Sequence, residues 1–474
     1  MIGREEQIRK MKDLLKSGKS EFLAITGRRR VGKTYLVDTV YKNHICYRIT
    51  GIQNGRIDEQ LLNFKIKLSE YSKTPILSSP QNWQEAFFYL KTYLASLNKK
   101  SKKVIFMDEV PWMHTPKSNF TQMLAHLWND YLSKEKHFVL VICGSATSWI
   151  TNKIVNDTGG LHNRLSEIIK LAPFNLYDTK RFLKSKNVRL NDREIAKIYM
   201  AMGGIPYYLE HIRSGENATT AIERLCFMDD GLLKNEYNNL YRALFYNAQT
   251  HEAIVKVLAK SKYGLTREEI IKKSKVKAGG PYNRAMDDLL LSGFITEQNL
   301  FGKKKRGNIY QLNDEYSVFY HRFIKPNKKY TRGIWSQLSM GQSYKIWGGY
   351  AFESLCFKHI DQIKSALGIS SVYTEISTLR VDGQQDNKGF QIDLIIDRKD
   401  DTINLCEIKN YTVPFNIDKP YANRLIERKQ SFIEFTKTRK QVFNTMITNF
   451  GIKKNEYALE AIDSEVTLNA LFKK

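Results

Sequence analysis

The run FLAIT, followed by Gly27-Arg28-Arg29-Arg30-Val31-Gly32-Lys33-Thr34 and then by YLVDTVY, constrains this chain more than any other stretch. An apolar strand, a glycine-bounded loop ending in Lys-Thr and an amphipathic helix form the pattern GxxxxGK[ST] in its required context. The glycines let backbone N–H groups curl around phosphate oxygens, and the helix N-terminus adds a positive dipole end. Lys33 would neutralise the β- and γ-phosphates of ATP and Thr34 would hold Mg²⁺. The whole stretch Gly27, Arg28, Arg29, Arg30, Val31, Gly32, Lys33, Thr34 and Tyr35 is therefore assigned to nucleotide binding. A chance glycine-rich turn is the competing reading.

A loop of this kind needs a parallel α/β sheet, and two further strand-like runs supply one. Val104-Ile105-Phe106-Met107-Asp108-Glu109 reads as a buried parallel strand with carboxylates at its C-terminal end, where such sheets bind ligands. Asp108 would hold Mg²⁺ through water, and Glu109 is placed to polarise the attacking water. Phe138-Val139-Leu140-Val141-Ile142-Cys143 ends in Gly144-Ser145. The Ser145 hydroxyl either senses the γ-phosphate or caps a helix starting at Ala146-Thr147.

These motifs occur in an order that resembles the archaeal-type ATPase family, close to the AAA+ and STAND P-loop ATPases. Ile2-Gly3-Arg4 with Glu5-Glu6, the phosphate loop, Asp108-Glu109, Gly144-Ser145 and Pro173-Phe174 carry the resemblance. Gly203-Gly204-Ile205-Pro206-Tyr207-Tyr208-Leu209 looks like that family's GxP motif in a helical lid. The likeness covers roughly residues 1–325. It implies that Ile2, Gly3, Gly204 and Pro206 line an adenine pocket, with Arg4 beside them. A Gly-Gly-x-Pro break also makes an ordinary helix–helix turn. The resemblance further implies that Arg164 reaches the γ-phosphate of a neighbouring copy, which would require a homo-oligomer. A solvated or lid-pairing arginine is the alternative.

Charge directs attention to the partner. The chain has 75 Lys and Arg against 49 Asp and Glu, a net charge of +26. Such an excess fits a polyanion, with DNA first among candidates, or simply a lysine-rich host. It concentrates in residues 251–330, which hold 17 Lys or Arg and 8 Asp or Glu. There His251–Lys260 is amphipathic. Thr266-Arg267-Glu268-Glu269 is a capping box, and Pro281 sits at the start of a third helix, Tyr282–Ser292. Ile295 to Leu312 reads as a hairpin with Lys303, Lys304, Lys305 and Arg306 at its tip. The order resembles a winged helix-turn-helix. Tyr282, Asn283 and Arg284 would then face the major groove and the basic wing the DNA backbone. A winged helix used for protein contacts is the other reading. Five scattered cysteines define no disulfide framework or zinc site. No stretch approaches the ~20 apolar residues of a membrane span, and no apolar leader opens the sequence. A reducing cytoplasm and no membrane partner are expected.

Near the C-terminus, Gln391-Ile392-Asp393-Leu394-Ile395-Ile396-Asp397 and Thr402-Ile403-Asn404-Leu405-Cys406-Glu407-Ile408-Lys409 flank an Asp-rich turn. A hairpin centred on position 400 sets Asp393 opposite Glu407, with Lys409 on the same face. Two carboxylates and a lysine among Ile395, Leu405 and Ile403 are costly to bury. A Mg²⁺ ion shared by them would relieve that cost and activate water for phosphodiester attack. The spacing resembles the PD-(D/E)xK nuclease superfamily, whose first helix Tyr350-Ala351-Phe352-Glu353-Ser354-Leu355 would match, with Glu353 as a further ligand. Members of that superfamily can be inactive, which leaves a purely structural cluster as the alternative.

The expected molecule is a multidomain α/β protein. It has an AAA+-like P-loop ATPase core with a parallel sheet (1–170), a helical lid (171–245), a winged helix-turn-helix (246–325), a linker (326–339) and a restriction-endonuclease-like α/β domain (340–474). The expected function is ATP hydrolysis coupled to DNA binding and Mg²⁺-dependent DNA cleavage. The alternative is an ATP-dependent regulatory switch, or a transcription regulator, whose C-terminal domain binds a partner without cutting.

Overall fold

The computed structural model describes residues 1–98, 100–156, 159–245, 247–302, 308–327, 332–381 and 389–474. The chain forms two compact units. One comprises Met1–Pro173 with Leu240–Ala248 and Arg284–Ser292; the other comprises Phe174–Asn239, Gln249–Asn283 and Gly293–Lys474.

The first unit is built on strands β1 (Glu21–Thr26), β2 (Ile45–Thr50), β3 (Lys103–Asp108), β4 (Phe138–Gly144) and β5 (Glu167–Lys170). They pair in the order β2-β3-β4-β1-β5, all parallel. Every residue of β1 and β4 is buried, which explains why these strands read as unbroken apolar runs rather than alternating ones. Sequence reasoning missed β2 and β5. Strand β2 hides behind Arg48, whose guanidinium bonds Asp38 at 2.8 Å and lies 4.9 Å from the centre of the Phe106 ring. Strand β5 is a short edge, EIIK, with a charge at each end. One face of the sheet packs on an aromatic core in which Trp83 meets Phe120 at 4.8 Å and Phe64 at 5.9 Å between ring centres. The consequence for function is the strand order. β4 lies between β1 and β3, so Ser145 at its tip falls between the phosphate loop and the carboxylates.

In the second unit, helices Leu176–Ser185, Asp192–Met202 and Pro206–Glu210 follow the first sheet. Further along the chain come helices Ala248–Leu258, Arg267–Ser274 and Gly280–Leu291, the last from Arg284 onward counted with the first unit. Strands β6 (Ile295–Gln298) and β7 (Ile309–Leu312) then pair antiparallel, Ile295 opposite Leu312. The expected capping box is present: Thr266 Oγ1 accepts from Glu269 N, and Thr266 N donates to Glu269 Oε2 at 2.8 Å. The hairpin tip, 303–307, lies outside the described residues, and with it Lys303, Lys304, Lys305 and Arg306.

Of the expected linker 326–339, residues 328–331 lie outside the described residues; the part beyond them is ordered. Ile334–Leu338 is helical, Trp335 is buried, and its ring stacks 5.5 Å from Phe227 at 14°. Glu223 accepts from Gly333 N at 3.0 Å and from Trp335 N at 2.7 Å. A single tryptophan outweighs the polar composition around it, because an aromatic ring of that size buries so much apolar area.

The C-terminal sheet runs β12-β11-β10-β9-β8, with β8 (Thr374–Val381), β9 (Phe390–Arg398), β10 (Thr402–Lys409), β11 (Gln441–Thr448) and β12 (Ser464–Thr467). β10, β11 and β12 are parallel; β9 and β8 are antiparallel to their neighbours. Leu379, Ile392, Ile395, Ile403, Leu405 and Val442 form a core with Phe432 of the helix Lys419–Thr436. No helix among the described residues is long and apolar enough to cross a membrane.

Candidate functional sites

The phosphate loop needs glycine at both ends. Gly27 has φ +147°, and a Cβ there would sit 2.3 Å from Leu171 O; Gly32 has φ +92°. Side chains strain at such angles. Lys33 opens the helix Lys33–Tyr41 and is buried. Its ammonium donates to Gly27 O at 2.9 Å, Arg28 O at 3.0 Å and Ser145 Oγ at 2.9 Å. Burial lowers its pKa, opposed by the nearby Glu109 and Asp108. Arg4 is buried and donates to Ala172 O at 2.7 Å and Val31 O at 3.4 Å. It acts as a strut under the loop. Ile2, Gly3, Arg29, Arg30, Val31 and Thr34 are partly or wholly buried, while Tyr35 is exposed.

Thr34 Oγ1 donates to Asp108 Oδ2 at 2.7 Å, and Glu109 N donates to Asp108 Oδ1 at 3.0 Å. Burial raises the Asp108 pKa, partly offset by the Thr34 bond. Glu109 holds a left-handed backbone, φ 46°, and bonds Ser145 twice. Ser145 Oγ donates to its Oε1 at 2.6 Å, and Ser145 N donates to its Oε2 at 3.0 Å. Ser145 therefore does not cap the helix Thr147–Ile150, which begins after Ala146. Its hydroxyl links Lys33 to Glu109. The structure thus brings Lys33, Thr34, Asp108, Glu109 and Ser145 together in one chain of hydrogen bonds.

Arg164 is exposed. Gly204 and Pro206 belong to the second unit. There a Cβ on Gly204 would lie 1.9 Å from Phe174 O, because Phe174 N donates to Gly204 O at 2.7 Å. Glycine is demanded by that close approach.

The second cluster lies on the C-terminal sheet. The β9–β10 register pairs Asp397 with Ile403, Ile395 with Leu405 and Leu394 with Cys406, as a hairpin centred on 400 requires. Asp393 Oδ2 accepts from Ile408 N at 3.2 Å. Lys409 Nζ lies 2.6 Å from Glu407 Oε1, which also accepts from Tyr421 Oη at 2.8 Å. Arg428 pairs with Glu407 Oε2. Burial would raise the Glu407 pKa, but Arg428 and Lys409 hold it down at about 2. Asp393 is pushed up to about 6 by burial and by Glu407; Glu353 is pushed up to about 8 by burial and by Asp393. Three carboxylates and two cations thus act on one another in a partly buried cluster. Among the described residues no set of three His, Cys, Asp or Glu gathers as a ready metal cage. Tyr421 and Arg428 escaped the sequence reading. Their seven-residue spacing in KPYANRLIERKQ, just past a helix-opening Pro420, was the available sign that both share one helix face.

One expectation for the basic segment needs correction. Tyr282 is fully buried, with the Arg267 guanidinium 5.4 Å from its ring centre, so it cannot face a groove. Apolar surface of that size goes to the core of a small helical segment. Its neighbours Asn283 and Arg284 are exposed.

Residues 1–212 match the model of a family described as an ATPase domain predominantly from Archaea. The chain is 26% identical over 402 residues to an uncharacterized protein of Methanocaldococcus jannaschii, spanning 83% of each. It is 27% identical over 196 residues to an uncharacterized ATP-binding protein of the same organism, spanning 40% of this chain and 52% of that one. Among solved structures, the Walker-type ATPase of Pyrococcus abyssi is similar at 18% identity and TM-score 0.49, over 68% of this chain and 96% of that one. The ORC2 protein of Aeropyrum pernix is similar at 12% identity and TM-score 0.42, over 72% of this chain and 96% of that one. Residues 1–212 are thus similar to those ATPase domains, and the parallel sheet carries its loop and strand-end carboxylates in the arrangement of a P-loop nucleotide site.

Proposed function

We propose that the N-terminal unit hydrolyses ATP and that the chain couples this to DNA, which its C-terminal sheet cuts. The observation that carries the ATPase half is the bonded series Lys33–Ser145–Glu109. Phosphate oxygens would draw Lys33 off the Gly27 and Arg28 carbonyls and off Ser145. Ser145 would then be free to turn to the γ-phosphate, leaving Glu109 to hold and polarise the attacking water. Thr34 Oγ1 and Asp108 Oδ2, 2.7 Å apart, are hard oxygen donors suited to Mg²⁺. Bound there, Mg²⁺ would neutralise charge building on the phosphate oxygens. Arg164, exposed near β5, suits a γ-phosphate contact from a second copy of the chain.

The DNA half rests on the order of three helices and a hairpin in a basic segment, which supports a winged helix with Asn283 and Arg284 available for contact. Cleavage rests on Glu353 and Asp393. Burial first and the charge of Asp393 second raise the Glu353 pKa, and both side chains are hard oxygen donors of the kind a divalent cation takes. Lys409 would stand beside the scissile phosphate. A second reading has an observation of its own. Lys409, Tyr421 and Arg428 already occupy both Glu407 oxygens, which favours a C-terminal domain that binds without cutting, as in an ATP-driven switch. The deciding experiment is cleavage of plasmid and single-stranded DNA in Mg²⁺ and Mn²⁺, with and without ATP, beside Asp393→Ala. Cleavage lost in the variant supports the nuclease. No cleavage in the wild type under any condition leaves the switch.

A further inference from the structure

A cleft in the second unit lies outside both sites. One wall is the helix Gln342–Lys358, through Trp347, Tyr350 and Ser354; the others bring Lys260, Lys262 and Arg322. Among the described residues none of these three cations has a carboxylate in ion-pair range. The one carboxylate lining the cleft, Glu315, is paired with Lys358. Trp347 is 4% exposed, and its Nε1–H lacks an acceptor. A buried indole donor is costly to leave without a partner, and Trp347 lines the cleft. Lys262 is held over two rings, 4.5 Å from the centre of Tyr263 and 4.9 Å from that of Tyr350; Arg380 lies 5.4 Å from Tyr263.

The chain just after β6 is tied to the C-terminal sheet. Phe301 N donates to Thr378 O at 3.0 Å, Phe301 packs 5.1 Å from Phe432, and the chain after β6 bridges to β8 at Leu300 and Thr378. The cleft itself adjoins the carboxylate cluster. Glu353 is three residues from Tyr350 on the same helix, and Lys262 is near enough to act on its carboxyl.

We propose that this cleft seats the phosphodiester backbone of a nucleic acid strand, with Lys260, Lys262 and Arg322 on phosphate oxygens and Trp347 Nε1 donating one hydrogen bond. The strand would then pass beside Asp393 and Glu353. The inference rests on the reading of the chain as a DNA-acting protein, but it does not need cleavage.

The test measures binding of fluorescein-labelled duplex and single-stranded DNA to the full chain by anisotropy, in EDTA, across a KCl series. The double variant Lys262→Gln/Arg322→Gln should flatten the slope of log K against log [KCl] by about 2 on duplex, since each phosphate left without its cation removes about 0.9. Trp347→Phe should weaken binding several-fold with the slope kept. A Lys262→Arg/Arg322→Lys swap should restore the slope. ATP-analogue affinity and melting temperature matching the wild type establish that the variants are folded. The proposal falls if the double variant keeps both slope and affinity, or if the wild type binds neither DNA. It also falls if inorganic phosphate raises the melting temperature of the wild type alone while the DNA slopes agree, since the cleft then holds free phosphate. Cleavage in Mg²⁺ is scored separately. Binding without cutting removes the nuclease and keeps the cleft; cutting with an unchanged slope does the reverse.

Discussion

Lys33 has three acceptors, two of them loop carbonyls, so its ammonium is already desolvated and positioned before any phosphate arrives. Lys33→Ala should abolish tight ATP binding; unchanged affinity in a fluorescence titration would remove the loop from nucleotide binding. Glu109→Gln should bind ATP normally and slow hydrolysis about 10²–10⁴-fold, the usual weight of a positioned base. Wild-type turnover in a phosphate-release assay would acquit Glu109. Gly204→Ala places a methyl 1.9 Å from Phe174 O and should cost about 2–4 kcal/mol, as misfitted backbone sites do, read as a lowered urea midpoint. Much of this site was legible at this scale. Lys33, Thr34, Asp108 and Glu109 follow from a loop and a strand end, whose chemistry is local. The role of Ser145 was left open between sensor and cap, because only the strand order sets its tip between Lys33 and Glu109.

At the scale of elements, the β9–β10 register was readable from Asp397–Ile403 to Leu394–Cys406. An Asp-rich turn between two apolar runs fixes the register, and a slip by one would turn Asp393 and Glu407 to the other face. The partners of Glu407 were not readable, because Tyr421 and Arg428 arrive on a helix from beyond the hairpin. Arg428→Met should leave a buried carboxylate with Lys409 as its remaining cation and cost about 3–5 kcal/mol. Adding Glu407→Gln should recover part of that loss. If Arg428→Met melts with the wild type, the ion pair contributes nothing measurable. The expected linker 326–339 shows the opposite failure. The polar run 327–333 suggested it, yet just beyond that run Trp335 packs Ile334–Leu338 as a helix.

At the scale of the whole molecule, the second unit joins the helices after residue 173 to the C-terminal domain through a buried histidine. Leu176 N donates to His359 Nε2 at 2.9 Å, so Nδ1 carries the proton and donates to Leu355 O at 2.8 Å. Burial lowers the His359 pKa from 6.5 to about 4. The folded state therefore binds fewer protons than the unfolded state between those values. Stability contributed by neutral His359 is present above about pH 6.5 and lost as pH falls toward 4, about 3 kcal/mol in all. His359→Gln should flatten the melting temperature over that window; an equally steep fall would assign the acid sensitivity elsewhere. His321, also lowered to about 4 by burial and by Lys325, Lys256 and Lys260, adds a slope of the same sign, while Asp393 and Glu353, raised to about 6 and about 8, oppose it.

By itself the sequence determined the chemistry that short spacing controls: the phosphate loop, the strand-end carboxylates, the capping box and the register of the Asp393 hairpin. Each depends on residues within one turn, one strand or one hairpin, where periodicity and backbone geometry act directly. Only the tertiary structure decided which distant groups share a site. The insertion of β4 between β1 and β3, the burial of Tyr282, the capture of Glu407 by Tyr421 and Arg428, and the cleft around Trp347 arise from packing between elements far apart in the chain. There the hydrophobic drive to cover large rings and the cost of leaving a buried charge unpaired choose the partners.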